Sequence, residues 1–142
     1  MLNSIEERDA FVKQYPESEP YIYRYYNAEG FINNKAAKYC LYLKNCPPNI
    51  IRNCKGIYQK VQEVYTYRST SDAETTRKLS DTPHIFIQTQ VPQNNNIVIP
   101  VVSSENRRYI PMGFMPPKTV YTNALFYIDN ANILIFGILN SN

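Results

Sequence analysis

The prevailing hydrophobic period of this chain changes near His84, and that change limits the folds open to it. Before it, apolar residues recur three and four positions apart; after it, they alternate. Helices followed by strands do not make repeated strand–helix–strand units. The order predicts an α+β fold: N-terminal helices plus a mostly antiparallel sheet of about four or five strands packed on a long amphipathic helix.

In the first part, Ser4 with Glu7 three residues on makes a capping-box pattern, and Phe11, Val12 and Tyr15 follow at helical spacing. Pro16 stops that helix. A second short helix is expected over residues 21–26, ending near Gly30. Residues 39–43 read as a short buried strand. Pro47-Pro48 then opens the strongest helix, with Ile50, Cys54, Ile57, Val61, Val64 and Tyr65 on one face. The polar residues 69–82 predict an exposed loop. Strands are expected over residues 85–91, 97–102, 109–114 and 119–128, with Pro100 marking an edge or a bulge. Asp129-Asn130 can cap a last helix over residues 131–139. That helix is apolar nearly all round and expects protein on every side, which predicts a truncated piece of a longer chain.

At 142 residues the chain fits one ordinary domain. The formal charge of +3 permits a nucleic-acid partner without arguing for one, because such binding depends on clustered charge. Cys40, Cys46 and Cys54 lack paired metal-ligand spacing and read as free thiols in a reducing compartment. No leader and no apolar run of about 18 residues is present, so a soluble cytoplasmic protein is expected. There is no G-x-S-x-G elbow, phosphate-binding loop or H-E-x-x-H pair. His84 reads as a satisfied or surface histidine. A methyltransferase needs a glycine-rich cofactor turn, and an amino-methylating one an N-P-P-Y-like tetrapeptide. Neither occurs, so this piece carries no catalytic machinery and no cofactor of its own.

Residues 101–114 run Val101-Val102-Ser103-Ser104-Glu105-Asn106-Arg107-Arg108-Tyr109-Ile110-Pro111-Met112-Gly113-Phe114. This segment resembles a block in the MmeI family of combined restriction–modification enzymes, approximately V-S-S-E-R-R-x-Y-I-P-I-G-F, inside the target-recognition domain. Three more stretches agree in order and spacing. Lys38 to Leu43 is similar to R-Y-C-L-W-L, Tyr67 to Phe86 to an f-R-x-x-S…P-x-x-F region, and Phe136 to Ser141 to F-G-I-L-x-S. Asn106 departs from a usual arginine and Tyr42 from a usual tryptophan. The first departure puts in doubt any phosphate contact carried over at that position.

The resemblance implies a parent enzyme with an endonuclease part, a helical connector and an adenine-N6 methyltransferase core that uses S-adenosylmethionine, with Mg2+ for cleavage. Residues 1–142 would be its DNA target-recognition domain, with 130–142 opening a further helical segment. The implied partners are double-stranded DNA and the methyltransferase core of the same chain.

Reading duplex sequence needs side chains that reach base edges, set in register by phosphate contacts. Arginine pairs with guanine, asparagine or glutamine with adenine, and glutamate or aspartate with cytosine. Ser103, Ser104, Glu105, Asn106, Arg107 and Arg108 supply such groups in six residues. Arg107 and Arg108 should point to opposite sides of an extended chain, so at most one of them faces the groove. Glu105 has a second reading, an ion pair with an arginine that fixes the turn, while Tyr109, Ile110 and Pro111 pack in the core. Arg68, Arg77, Lys78 and Lys118 are candidate phosphate ligands, each alternatively a solvated charge. The loop of Asn94, Asn95 and Asn96 is a weaker candidate, because asparagine also favours turns. A different class of function stays open: a non-catalytic protein-interaction domain that docks through its apolar C-terminal helix.

Overall fold

A computed structural model describes residues 1–87 and 90–141. In chain order the elements are α1 (Ile5–Gln14), a 3-10 helix (Pro16–Tyr21), β1 (Ile22–Tyr26), α2 (Ala28–Ile32), β2 (Lys38–Leu41), α3 (Pro48–Asn53), α4 (Lys55–Ser69), α5 (Glu74–Arg77), β3 (Asn96–Pro100), β4 (Gly113–Met115), β5 (Thr119–Tyr121), β6 (Leu125–Ile128) and α6 (Ile133–Asn140). The fold is α+β, with the longer helices first and an antiparallel sheet after them. Two compact units form: Met1–Ile22 with Tyr39–Thr89, and Tyr23–Lys38 with Gln90–Asn142.

The first unit begins as the capping pattern predicts. The Glu7 amide donates to Ser4 Oγ at 3.2 Å, and the Glu7 carboxylate accepts from the Asn3 amide at 2.8 Å. Beyond Pro16 the expected second helix does not form. Pro16 and Pro20 each lack an amide proton, so that segment tightens into a 3-10 turn, and the β-branched and aromatic run behind it extends as β1. Leu2 and Tyr39 exchange backbone hydrogen bonds of 2.9 and 2.8 Å.

The long helix is two helices. Cys54, buried and extended at φ −78° and ψ 102°, separates α3 from α4. The break sets the first turn of α4 against Tyr15 so closely that a Cβ on Gly56 would overlap the tyrosine ring. Gly56, Ile57 and Val61 are the buried residues of α4. Leu43, Cys46, Cys54, Ile57 and Val61 make the core of this unit, with Tyr15, Tyr21 and Ile50 packed against it. Tyr65, expected on the same face, is exposed. The loop expected over residues 69–82 contains the helical turn α5. Residues 85–87 are not strand, contrary to expectation; Gln88 and Thr89, in the same predicted strand, lie outside the described residues.

In the second unit β3 lies at the centre of a three-stranded antiparallel sheet, ordered β4-β3-β6. Ile97 pairs with Phe114 and Ile128, and Val98 with Gly113 and Tyr127. This corrects the edge reading of Pro100, which is the last residue of a central strand, opposite Leu125; the Val101 amide still donates to the Ala124 carbonyl at 3.0 Å beyond it. Val98, Tyr121 and Leu125 form the core on one face, with Tyr26, Phe31, Met115 and Tyr127 around them. β1 pairs in parallel with β5, Tyr26 opposite Tyr121. The strand expected over 119–128 is split by a turn, in which the Leu125 amide donates to the Thr122 carbonyl at 3.0 Å.

Two side chains hold the loops of this unit. Asn96 is fully buried: its amide nitrogen donates to the carbonyls of Asn94, Met115 and Pro116, and its oxygen accepts from Tyr121 Oη at 2.8 Å. Its readout role is thereby excluded, since every polar atom of the amide is engaged inside the protein. Asp129 does not cap α6. It accepts from the amides of Gln93 and Asn94 at 3.1 and 3.0 Å, which hold its carboxyl below the usual range, and Asn132 caps the helix instead.

Candidate nucleic-acid interface

Between β3 and β4 the chain leaves the sheet as a twelve-residue arm, residues 101–112. With β3 ended at Pro100, nothing remains to pair residues 109–112, and Pro111 lacks an amide proton. The strand expected from Tyr109 therefore begins only at Gly113. Tyr109 and Ile110 are exposed, where the sequence reading put them in the core.

At the tip of the arm the Arg107 amide donates to the Ser104 carbonyl at 3.0 Å, and the Asn106 amide donates to Ser104 Oγ at 3.3 Å. Ser104 thus builds the turn through both its oxygens. Glu105, Asn106, Arg107 and Arg108 are all exposed. None of the ion pairs among the described residues includes Glu105, Arg107 or Arg108, so the turn-fixing ion pair expected of Glu105 is not formed. The Arg108 guanidinium lies 5.4 Å from the centre of the Tyr109 ring, within cation–π range. Ser103 Oγ, at the base of the tip, is buried without a hydrogen-bond partner.

Lys118 sits in the same unit, in the left-handed region at φ 56° behind Pro116-Pro117. Its amide donates to the Pro92 carbonyl at 3.1 Å, and its Nζ lies 5.9 Å from the Tyr23 ring centre. The neighbouring strand carries Arg24, exposed and in register with Thr119. Sequence reasoning missed Arg24 because it read residues 21–26 as helix; the alternation of Tyr23, Arg24 and Tyr25 was the available signal.

The other three candidates belong to the first unit and have local partners. Arg68 donates from Nη1 to the carbonyls of Leu79 (2.9 Å) and Thr82 (2.8 Å), and from Nη2 to that of Ile85 (3.0 Å). Arg77 donates to the Ser71 and Asp72 carbonyls, and Lys78 pairs with Glu74 one helical turn back at 2.9 Å. Charge follows the same division. The first unit has nine Lys and Arg against nine Asp and Glu, the second six against three, so the net +3 of the chain resides in the unit that carries the arm.

The family model described as MmeI, target recognition domain, matches residues 1–142. DNA methyltransferase A of Bacillus subtilis (strain 168) is 36% identical over 141 residues, covering 99% of this chain and 16% of the relative. The type IIL restriction–modification enzyme MmeI, solved in complex with DNA, superposes with a TM-score of 0.84 at 35% identity, over 97% of this chain and 18% of the other. The chain therefore spans less than a fifth of either relative.

Proposed function

Because the chain belongs to the family of MmeI target recognition domains, we propose that it reads a specific double-stranded DNA sequence for a larger restriction–modification methyltransferase. The observation that carries this reading is the arm: a hydrogen-bonded turn that exposes a carboxylate, an amide and two guanidiniums outside any ion pair of the described residues, on the unit that holds all the net positive charge. Those groups match the hydrogen-bonding edges of base pairs in the major groove. Arg107 or Arg108 is the leading base contact. Lys118 and Arg24 supply phosphate contacts that fix register.

In the parent, adenine-N6 methylation with S-adenosylmethionine and Mg2+-dependent cleavage belong to other parts of the polypeptide, whose methyltransferase core supplies the opposite wall of the DNA cleft. The exposed apolar side chains of α6, with Ile133 at 75% and Leu134 at 68%, support its role as the start of a helical segment covered by the parent chain. A DNA substrate supports a cytoplasmic location for the enzyme. No helix among the described residues is long and apolar enough to cross a membrane.

Titrating this chain with duplex DNA at increasing salt tests the reading. Contacts to several phosphates predict weak binding that falls steeply as salt is raised. A flat salt response, or no duplex binding at low salt, contradicts it.

A further inference from the structure

The tip of the arm carries polar chemistry suited to three of the four bases: a guanidinium for guanine, the Asn106 amide for adenine and the Glu105 carboxylate for cytosine. Thymine is told apart in the major groove by its C5 methyl, which calls for an apolar surface. That surface flanks the tip on both sides. Val102, 75% exposed, precedes it, and Ile110, 52% exposed, follows it. Single exposed apolar side chains need no explanation. Here they bracket one turn whose arginines also lack ion-pair partners among the described residues.

We propose that Val102 and Ile110 read thymine C5 methyl groups when the arm enters the major groove, an inference that rests on the DNA-reading function above. Charge selects the occupant. The unit that bears the arm has six cations against three anions, so its partner is anionic. A duplex satisfies that charge with its phosphates and offers apolar methyl groups inside the groove. The groove, about 12 Å wide, is broad enough to admit a protein segment.

Selection by this chain from a pool of random duplexes identifies the preferred sequence. Affinity is then measured for that duplex and for the same duplex with every thymine replaced by uracil, which removes only the C5 methyls. Uracil is expected to weaken wild-type binding about three- to five-fold for each methyl contacted. In Val102→Ala and Ile110→Ala the thymine duplex binds more weakly and the uracil penalty shrinks toward one. Both positions are exposed, and an unchanged unfolding midpoint confirms that each variant folds. A selected sequence bound equally well with thymine or uracil overturns the proposal and leaves DNA recognition standing. An undiminished uracil penalty in both variants also overturns it. Failure to bind any duplex removes the DNA reading itself, and this inference with it.

Discussion

Replacing Arg68 removes a guanidinium that holds three carbonyls spread over residues 79–85. The bonds to Leu79 and Ile85 are partly buried, and the one to Thr82 is exposed. A charged donor to a buried acceptor contributes about 1.5–3 kcal/mol net. Discounting for the exposed bond to Thr82, we expect Arg68→Ala to lose about 2–3 kcal/mol in total. Arg68→Lys should recover less than half of that, because one ammonium cannot span three carbonyls set for a planar fork. Urea unfolding followed by far-ultraviolet circular dichroism measures both losses. The melting temperature should fall by about 3–4 °C for each kcal/mol. DNA affinity, measured well below that temperature, should change less than about threefold. A fully stable Arg68→Lys variant refutes the clamp, as does an Arg68→Ala variant of normal stability that has lost its DNA affinity.

Gly56→Ala places a methyl against the Tyr15 ring and should destabilise the chain by about 1–3 kcal/mol despite the better helix former, with Tyr15→Ala in the same chain relieving most of the clash; equal unfolding midpoints for Gly56→Ala and wild type would contradict the close approach. Tyr121→Phe leaves the buried Asn96 oxygen without its donor and should cost about 1–3 kcal/mol at neutral pH. Burial raises the Tyr121 hydroxyl above its ordinary value of 10.0, partly offset by bonds to Thr119 and Asn96. The unfolded chain therefore loses this proton first as pH rises, so the contribution of Tyr121 is fully present below about pH 10 and declines above it. Wild type and Tyr121→Phe should converge in stability through that alkaline range; a gap that stays constant with pH contradicts the assignment.

Local chemistry was readable in the sequence wherever its partners lie a few residues away. The Ser4 cap and the stop at Pro16 formed as the spacing predicts, and Ile57 and Val61 of the predicted apolar face are buried. Elements that depend on distant partners were not readable. Tyr23, Arg24 and Tyr25 extend beside β5, which lies more than ninety residues on. Tyr109 and Ile110 carry strand-forming side chains but have no strand left to pair with, since β3 stops at Pro100. The same reasoning separates the candidate contacts. Nothing in the sequence around Arg68 distinguishes a phosphate ligand from a residue that holds carbonyls 11 to 17 positions ahead. The segment from Ser103 to Arg108 was legible because its residue types are dense and its neighbours resemble a known block. Its form as an exposed arm depends on where the sheet ends.

The proposed function has the arm of residues 101–112 meet DNA, while Arg77 and Lys78 hold local partners around α5. The most direct measurement compares the salt dependence of duplex binding for two double variants, Arg107→Ala with Arg108→Ala and Arg77→Ala with Lys78→Ala. The first pair should lose about tenfold or more in affinity and lower the slope of log K against log salt by about 1 to 2. The second pair should bind as wild type does once its folding is verified. The reverse pattern, with the slope reduced only by the changes at Arg77 and Lys78, would contradict the account.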